Sequence, residues 1–236
     1  MTPWKKCAWG IVLCLVLACP RLGIAENNPP AGEIRKVEDT IRVLQDMMQE
    51  SDKSIPQRLL AESAGIAIIP DVIKAAYIVG GRHGSGVVCV RKKDGTWSNP
   101  AFIGITGGSI GWQIGVESAD IILVFRTHRS IENFARGKFT LGADAGVSAG
   151  PVGRSAEAST DVELKAEILS YSRSRGLYAG LSVQGASLYV DAKANQNFYG
   201  LKGIAPQTIF EGQITNVPEA AGKLRHALGT FSRNAK

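Results

Sequence analysis

The stretch that decides the fold is residues 86–105, GVVCVRKKDGTWSNPAFIGI. Apolar runs stand on both sides of Asp94-Gly95, and an Asp-Gly pair supplies the positive φ that tight hairpin turns need. The pattern therefore predicts two strands, near residues 86–92 and 96–105, joined as an antiparallel hairpin.

The same pattern continues on both sides of this hairpin. Between Gly80 and Gly203 lie 20 of the 27 glycines, among short apolar runs. Apolar and polar residues alternate in 111–117, 161–168 and 177–184, and a period of two is typical of sheets with one buried face and one solvated face. No helix of ordinary length separates the strands regularly, which argues against parallel winding. Further strands are predicted near residues 66–69, 76–82 and 119–126.

Helices are predicted at both ends of the chain. Apolar residues recur at steps of three and four over residues 33–51 and again after Asn216, as expected for one face of a helix. Short helices are predicted between Ser54 and Gly65 and at 128–136. The predicted fold class is α+β: a glycine-rich antiparallel β-sheet body, sandwich or barrel-like, flanked by N- and C-terminal helices in one domain, 33–236.

Residues 1–25 have the three parts of a secretory signal peptide. Lys5 and Lys6 precede an apolar run of twelve residues, 8–19, which is too short to span a bilayer as a helix. Small residues precede Glu26, so cleavage is expected after Ala25, with residues 26–32 as a flexible lead-in. The alternative is a lipoprotein anchored at Cys19, because residues 16–19 resemble a lipobox. The expected location is the periplasm in either case.

Removal of the signal peptide changes the charge and the cysteine content. The net charge falls from +6 to +3, since the signal peptide carries three basic residues and no acidic ones. A net charge of +3 is compatible with anionic partners but does not indicate that the protein binds nucleic acid. Cys89 is then the only cysteine, it cannot form an internal disulfide, and its apolar neighbours predict a buried, unreactive thiol.

The motifs that suggest catalysis do not have the sequence context that catalysis needs. Residues 107–111 match G-x-S-x-G, but a strand pattern follows where a nucleophile elbow requires a helix, so a glycine-rich turn is the better interpretation. A hydrolase using Ser109 remains a remote alternative. The glycine-rich segment 80–86 lacks the Lys-Ser/Thr ending of a phosphate-binding loop and is interpreted as a strand and turn with a basic edge. Neither a metal site nor a cofactor is predicted.

Basic residues are concentrated in three segments. Residues 74–93 carry a net +5, residues 126–138 carry +3, and Arg173 and Arg175 add a basic turn. Where such segments converge, they form a surface for phosphate or lipid headgroups, at up to about 1 kcal/mol per charge near an anionic membrane. Scattered solubilising charge is the alternative interpretation.

Six blocks of sequence resemble the SYLF domain family. They are GRHGSGVV (81–88), DGTWSNP (94–100), GKFTLGADAGVSAGPVGR (137–154), AEASTD (156–161), YSRSRGLYAG (171–180) and FYG (198–200). The resemblance runs from about residue 33 to 203. It implies a non-catalytic, lipid-binding protein, and it suggests a bacterial exported member. Family members from eukaryotes bind phosphoinositides, and some yeast members bind actin, but an exported protein would meet neither.

The expected ligand is therefore an anionic phospholipid of the bacterial envelope, such as phosphatidylglycerol, cardiolipin or lipid A. The runner-up is a structural or interaction protein of the envelope that docks a protein partner through its β body. The predicted N-terminal helix has a net charge of −2 over residues 33–53, so its apolar stripe is interpreted as core packing rather than as a membrane-binding face. Charge placement selects the candidate headgroup-binding residues Arg82, Arg91, Lys92, Lys93, Arg129, Lys138, Arg173 and Arg175.

Overall fold

The computed structural model describes residues 31–49, 54–137, 139–152, 166–174, 177–179 and 183–233, with the backbone alone at 76–79, 109–115 and 177–179. The described helices are α1 (Ala31–Gln49), α2 (Gln57–Glu62), α3 (His128–Ala135), α4 (Ala192–Tyr199), α5 (Pro206–Glu211) and α6 (Glu219–Arg233). The described strands are β1 (Gly65–Val90), β2 (Ala101–Phe125), β3 (Phe139–Thr140), β4 (Val147–Ala149), β5 (Ile168–Ser174), β6 (Leu177–Ala179) and β7 (Ser187–Val190).

Two very long strands form the centre of the sheet. β1 and β2 pair antiparallel from Gly65 opposite Phe125 to Val88 opposite Ala101, so the hairpin predicted around Asp94-Gly95 is present. The turns predicted in segments 80–86 and 107–111 are wrong, because both segments lie inside these strands and pair with each other. Glycine still contributes its N–H and C=O to a ladder, so a glycine-rich segment can continue a strand when its partner is in register.

β1 bends back on itself, and its glycines make this possible. A Cβ atom on Gly86 would lie 2.1 Å from the carbonyl oxygen of Ile68, and one on Gly84 would lie 2.8 Å from a methyl group of Val72. Both residues occupy the second half of β1, while Ile68 and Val72 occupy the first half. The two halves therefore approach more closely than any side chain would allow, and the sheet curls.

The remaining strands extend the sheet from β2. β5 pairs with the C-terminal part of β2 and β7 with its N-terminal part, both antiparallel. β3 joins β7, and β6 joins β5. β4 lies parallel to β5, so the sheet is mixed where a wholly antiparallel one was predicted. The α+β class with a curled β body and terminal helices is confirmed. Of the predicted alternating segment 161–168, only residues 166–168 are described, and the strand there begins at Ile168.

The terminal helices pack on the sheet and on each other. α1 buries Val37, Leu44 and Met47, each at most 1% exposed, and contacts β1 and α6. α6 buries Ala221, Leu224 and Leu228. The interpretation of the first helix as core packing is thus confirmed. The helix at 128–136 is also confirmed as α3, whereas α4 and α5 were not predicted.

Buried polar contacts fix the helices to the hairpin. The Asn195 side chain, on α4, accepts a hydrogen bond from Phe102 N at 2.8 Å and donates one to Phe102 O at 3.1 Å. Tyr199 Oη donates to Pro100 O at 2.6 Å, and Trp97 Nε1 donates to Ser232 Oγ at 3.2 Å. These bonds satisfy groups that burial would otherwise leave unpaired.

Cys89 lies inside this core, as predicted. It is 1% exposed, and burial raises the pKa of its thiol to about 12. A thiol with so high a pKa carries no appreciable thiolate at neutral pH and is unreactive.

Candidate functional site

The middle part of the β1–β2 ladder, here called the ribbon, consists of residues 73–82 and 107–118. Among the described pairings, each of its strands is paired with the other alone, whereas the parts of β2 on either side of the ribbon also pair with β5 or β7. Within the described part of the fold, neither outer edge of the ribbon therefore has a neighbouring strand.

One face of the ribbon exposes apolar side chains. Ile73 pairs with Ser118 and Ala75 pairs with Val116, so Ile73 and Val116 are diagonal neighbours on the same face. Their exposed fractions are 53% and 69%, and Leu201, at 44%, is the other exposed large apolar residue in the described chain. Two adjacent, solvated aliphatic side chains on the ribbon form a surface suited to an apolar contact.

The opposite face of the ribbon forms one wall of a narrow cleft. Lys74 and Glu117 pair across the strands on this face, and the register places Ser172 of β5 beside Ile121 and Ser174 beside Ala119. The cleft has a volume of about 60 Å³. Its lining residues are Val72, Lys74, Arg82, Glu117, Ala119, Ile121, Ser172 and Ser174.

Arg82 is the most unusual group in this cleft. Its side chain is half-buried, its Nη1 atom is buried, and no described residue accepts a hydrogen bond from that atom. Burial lowers the pKa of the guanidinium below its usual value, but an arginine stays protonated at any physiological pH. The cleft thus contains a partly desolvated positive charge, which is costly unless an acceptor is supplied.

The acidic residue of the cleft does not neutralise this charge. Glu117 accepts a hydrogen bond from Ser174 Oγ at 2.8 Å and lies opposite Lys74 in the ladder. In the described part of the chain, neither Lys74 nor Arg82 forms an ion pair within 4.0 Å. With two cations and one carboxylate, the cleft has a formal charge of +1.

The structure disperses the other predicted headgroup-binding residues. Arg91 follows the end of β1, nine residues from Arg82, which is at most roughly 30 Å at the usual rise of a strand. Lys92 and Lys93 follow it in the turn, and Arg129 is exposed on α3. Lys138 and Arg175 lie outside the described residues. The assignment of these residues to headgroup binding stays a prediction.

Two of the predicted arginines make structural contacts. Arg91 donates from Nη1 to Gly95 O at 2.9 Å and from Nη2 to Leu60 O at 3.1 Å. Arg173 Nη1 lies 2.6 Å from Asp46 Oδ2 on α1, so its side chain points away from the cleft that its neighbours Ser172 and Ser174 line. Alternation along β5 explains that separation, since successive side chains point to opposite faces.

Sequence reasoning missed Ser172, Ser174, Ile73 and the exposure of Val116. A detectable signal existed for Val116 alone, as a member of the alternating segment 111–117. The remaining residues become neighbours only through strand pairing.

Ser109 is not placed as a nucleophile. It lies within β2 opposite Gly80, in the middle of a paired strand, where an elbow would need a sharp turn between a strand and a helix.

Among the helices of the described residues, none has both the length and the apolar composition of a transmembrane span.

The family model and the relatives that match this chain point to the same family. The model of the family described as "Ysc84: Las17-binding protein actin regulator" matches residues 106–231. The chain is 36% identical over 213 residues to the SH3 domain-containing YSC84-like protein 1 of Bos taurus, covering 87% of this chain and 62% of that protein. It is 36% identical over 217 residues to protein YSC84 of Saccharomyces cerevisiae, covering 88% of this chain and 46% of that protein. The chain therefore spans about half the length of these relatives.

Proposed function

This chain belongs to the Ysc84, or SYLF, family, and we propose that it is a non-catalytic protein that binds anionic phospholipid at a membrane surface through the ribbon. The observation that carries the proposal is the pairing of two surfaces on one element. Ile73 and Val116 are exposed on one face, and Lys74 and Arg82 line the cleft on the other.

The two surfaces suit the two layers of a lipid monolayer. Burying an aliphatic side chain fully contributes about 1.5–3 kcal/mol, so two half-exposed ones contribute a smaller but useful amount. Each Lys or Arg near an anionic surface adds about 1 kcal/mol. Apolar insertion and headgroup attraction together reach several kcal/mol, which is enough for reversible binding and too little for permanent anchoring.

The helices offer a weaker membrane contact than the ribbon. Val37, Leu44 and Met47 of α1 are buried against β1 and α6, so these residues are unavailable unless the core opens. α6 is more basic, with Arg225 and Arg233 exposed, yet its apolar residues Leu224 and Leu228 are fully buried. A helix that has already buried its apolar face has little left to insert into a bilayer.

The compartment forms part of the proposal. If residues 1–25 direct export, the available anionic lipids are phosphatidylglycerol, cardiolipin and lipid A of a bacterial envelope. Acylation at Cys19 would anchor the chain to the same membrane and bring the ribbon close to headgroups. In both cases the lipid contact of the folded domain is the same.

Vesicle co-sedimentation tests the proposal. The purified protein is mixed with phosphatidylcholine vesicles, with or without phosphatidylglycerol or cardiolipin, at low and high salt. We expect binding that needs anionic lipid and weakens with salt, because exposed charges are screened. The double variant Ile73→Ser, Val116→Ser should bind markedly less, and Leu201→Ser, which changes an exposed apolar residue outside the ribbon, should bind as the parent does. Undiminished binding of the double variant would contradict the role of the ribbon.

Protein docking is the second candidate function, and the same apolar face favours it. Relatives include LAS seventeen-binding protein 3 of Saccharomyces cerevisiae, 39% identical over 171 residues, whose name refers to a protein ligand. If the protein binds no vesicle of any composition, while the Ile73→Ser, Val116→Ser variant loses a partner captured by chemical crosslinking in the intact envelope, docking replaces lipid binding.

A further inference from the structure

The Arg82 cleft has the composition of an anion-binding site. A buried donor with no acceptor is rare in folded proteins and calls for an explanation. Arg82 Nη1 is such a donor among the described residues, and the cleft that Arg82 lines carries a formal charge of +1. An anion in the cleft would compensate the partly desolvated charge of the Arg82 guanidinium.

The neighbouring groups add donors around the same space. Ser172 is 5% exposed and offers a hydroxyl from the β5 wall, and Lys74 offers an ammonium from the ribbon wall. Val72 and Ile121 supply apolar surface, which lowers the local dielectric and strengthens each charged contact. Glu117 limits the charge of the site, and its hydrogen bond with Ser174 holds it on one side.

The size of the cleft restricts the ligand. A volume of about 60 Å³ accommodates roughly two water molecules, or one small tetrahedral anion. It cannot enclose a sugar ring or an acyl chain. Guanidinium matches phosphate by offering two parallel N–H donors to two oxygens, so a phosphate group is the chemistry that Arg82 is best shaped to recognise.

We propose that the cleft binds a single phosphate group, with the Arg82 guanidinium as its principal ligand and Lys74 and Ser172 as supporting donors. The group belongs either to a phospholipid headgroup or to free phosphate. The headgroup form of this inference rests on the proposed membrane function, because the cleft and the apolar pair Ile73 and Val116 occupy opposite faces of one ribbon.

Two binding measurements separate these sources. Isothermal titration calorimetry with inorganic phosphate reports on the free anion, and co-sedimentation with phosphatidylcholine vesicles containing phosphatidylglycerol reports on the headgroup. Arg82→Gln should weaken whichever binding occurs by about tenfold or more, since a charge-assisted contact is lost. Lys74→Gln should weaken it less. The matched control is Arg58→Gln, because Arg58 is exposed on α2 and pairs with Glu62 at 2.8 Å, and this variant should bind as the parent does.

The outcomes distinguish this inference from the proposed function. Phosphate binding that depends on Arg82, without any vesicle binding, supports the cleft and overturns the membrane function. Vesicle binding that is lost in Ile73→Ser, Val116→Ser but unchanged in Arg82→Gln and Lys74→Gln overturns the cleft and leaves the apolar contact of the ribbon as the membrane contact. Absence of any Arg82-dependent binding, to phosphate or to vesicles, also overturns the cleft. Circular dichroism melting shows whether Arg82→Gln is folded; if it is not, Lys74→Gln alone decides, and unchanged binding in that variant overturns the inference.

Discussion

The guanidinium carbon of Arg91 lies 4.5 Å from the centroid of the Trp97 ring, across the hairpin turn that follows β1. The same guanidinium donates to Gly95 O within the turn and to Leu60 O on α2. Arg91 therefore joins the hairpin to α2, and burial lowers the pKa of its side chain. A residue selected by charge as a headgroup ligand has structural contacts that account for both of its terminal nitrogens.

Replacing Arg91 should destabilise the fold. Arg91→Ala removes a cation–π contact, two hydrogen bonds and the packing of the aliphatic stem, so the free energy of unfolding should fall by about 2 kcal/mol. Urea denaturation followed by tryptophan fluorescence measures the change. Lys93→Ala, which alters an exposed cation two residues away, should change it by less than about 0.5 kcal/mol. Equal effects of the two substitutions would show that the Arg91 contacts contribute nothing.

Because β1 curls, the loss of stability caused by replacing one of its glycines should depend strongly on which glycine is replaced. Gly86→Ala places a Cβ against the Ile68 carbonyl, where neither backbone can yield cheaply, and should cost about 3 kcal/mol or prevent folding. Gly81→Ala is the control, because the nearest atom to its Cβ would be 3.9 Å away. Thermal melting of both variants tests this. Comparable melting temperatures would mean that the two halves of β1 do not pack as described.

Replacing Asn195, which lies outside the cleft and the ribbon, should lower the stability of the fold substantially. Asn195→Ala leaves the buried N–H of Phe102 without its side-chain acceptor, whereas Phe102 O keeps the hydrogen bond from Asp191 N at 2.9 Å. The free energy of unfolding should fall by about 2 kcal/mol. Asn197 is on the same helix as Asn195 and donates an exposed hydrogen bond to Glu33 Oε1 of α1, so Asn197→Ala should lower the free energy of unfolding by less than about 1 kcal/mol. Equilibrium denaturation of the two variants measures both changes. If Asn195→Ala lowers the free energy of unfolding no more than Asn197→Ala does, the hydrogen bonds between Asn195 and Phe102 do not hold α4 to β2.

Cys89 predicts a specific loss of stability in alkali. Its folded pKa of about 12 lies above the ordinary value of 9.0, because burial penalises the thiolate. The thiol therefore favours the folded state fully below pH 9, and this contribution is lost as the pH rises from 9 towards 12. Stability should fall more steeply over that range in the parent than in Cys89→Ala.

A chemical probe checks the same burial. A chain beginning at Glu26 has Cys89 as its one thiol. At pH 8 it should react with a disulfide reagent only after urea is added. Rapid modification of the folded protein would contradict the buried position.

The elements predicted best from sequence are those with a clear period. The steps of three and four residues from Val37 to Ile41 and Leu44 predicted α1 and its packing on the core. The apolar runs around Asp94-Gly95 predicted the central hairpin. The predicted strand boundaries were wrong where a glycine-rich segment was taken to end a strand. Segments 80–86 and 107–111 continue through β1 and β2, because two glycine-rich segments in register satisfy each other's backbone groups.

The sequence by itself determined the α+β class, the buried thiol, the terminal helices and the family, since each depends on local periodicity or on residues in a fixed order. Only the tertiary structure decided which cations are neighbours. Arg82 and Arg91 are near in sequence, yet a strand separates them by its length, whereas Arg82 and Ser172 are ninety residues apart and line one cleft. Strand pairing and the curl of β1 make that cleft, and both arise from contacts between distant segments that no local pattern contains.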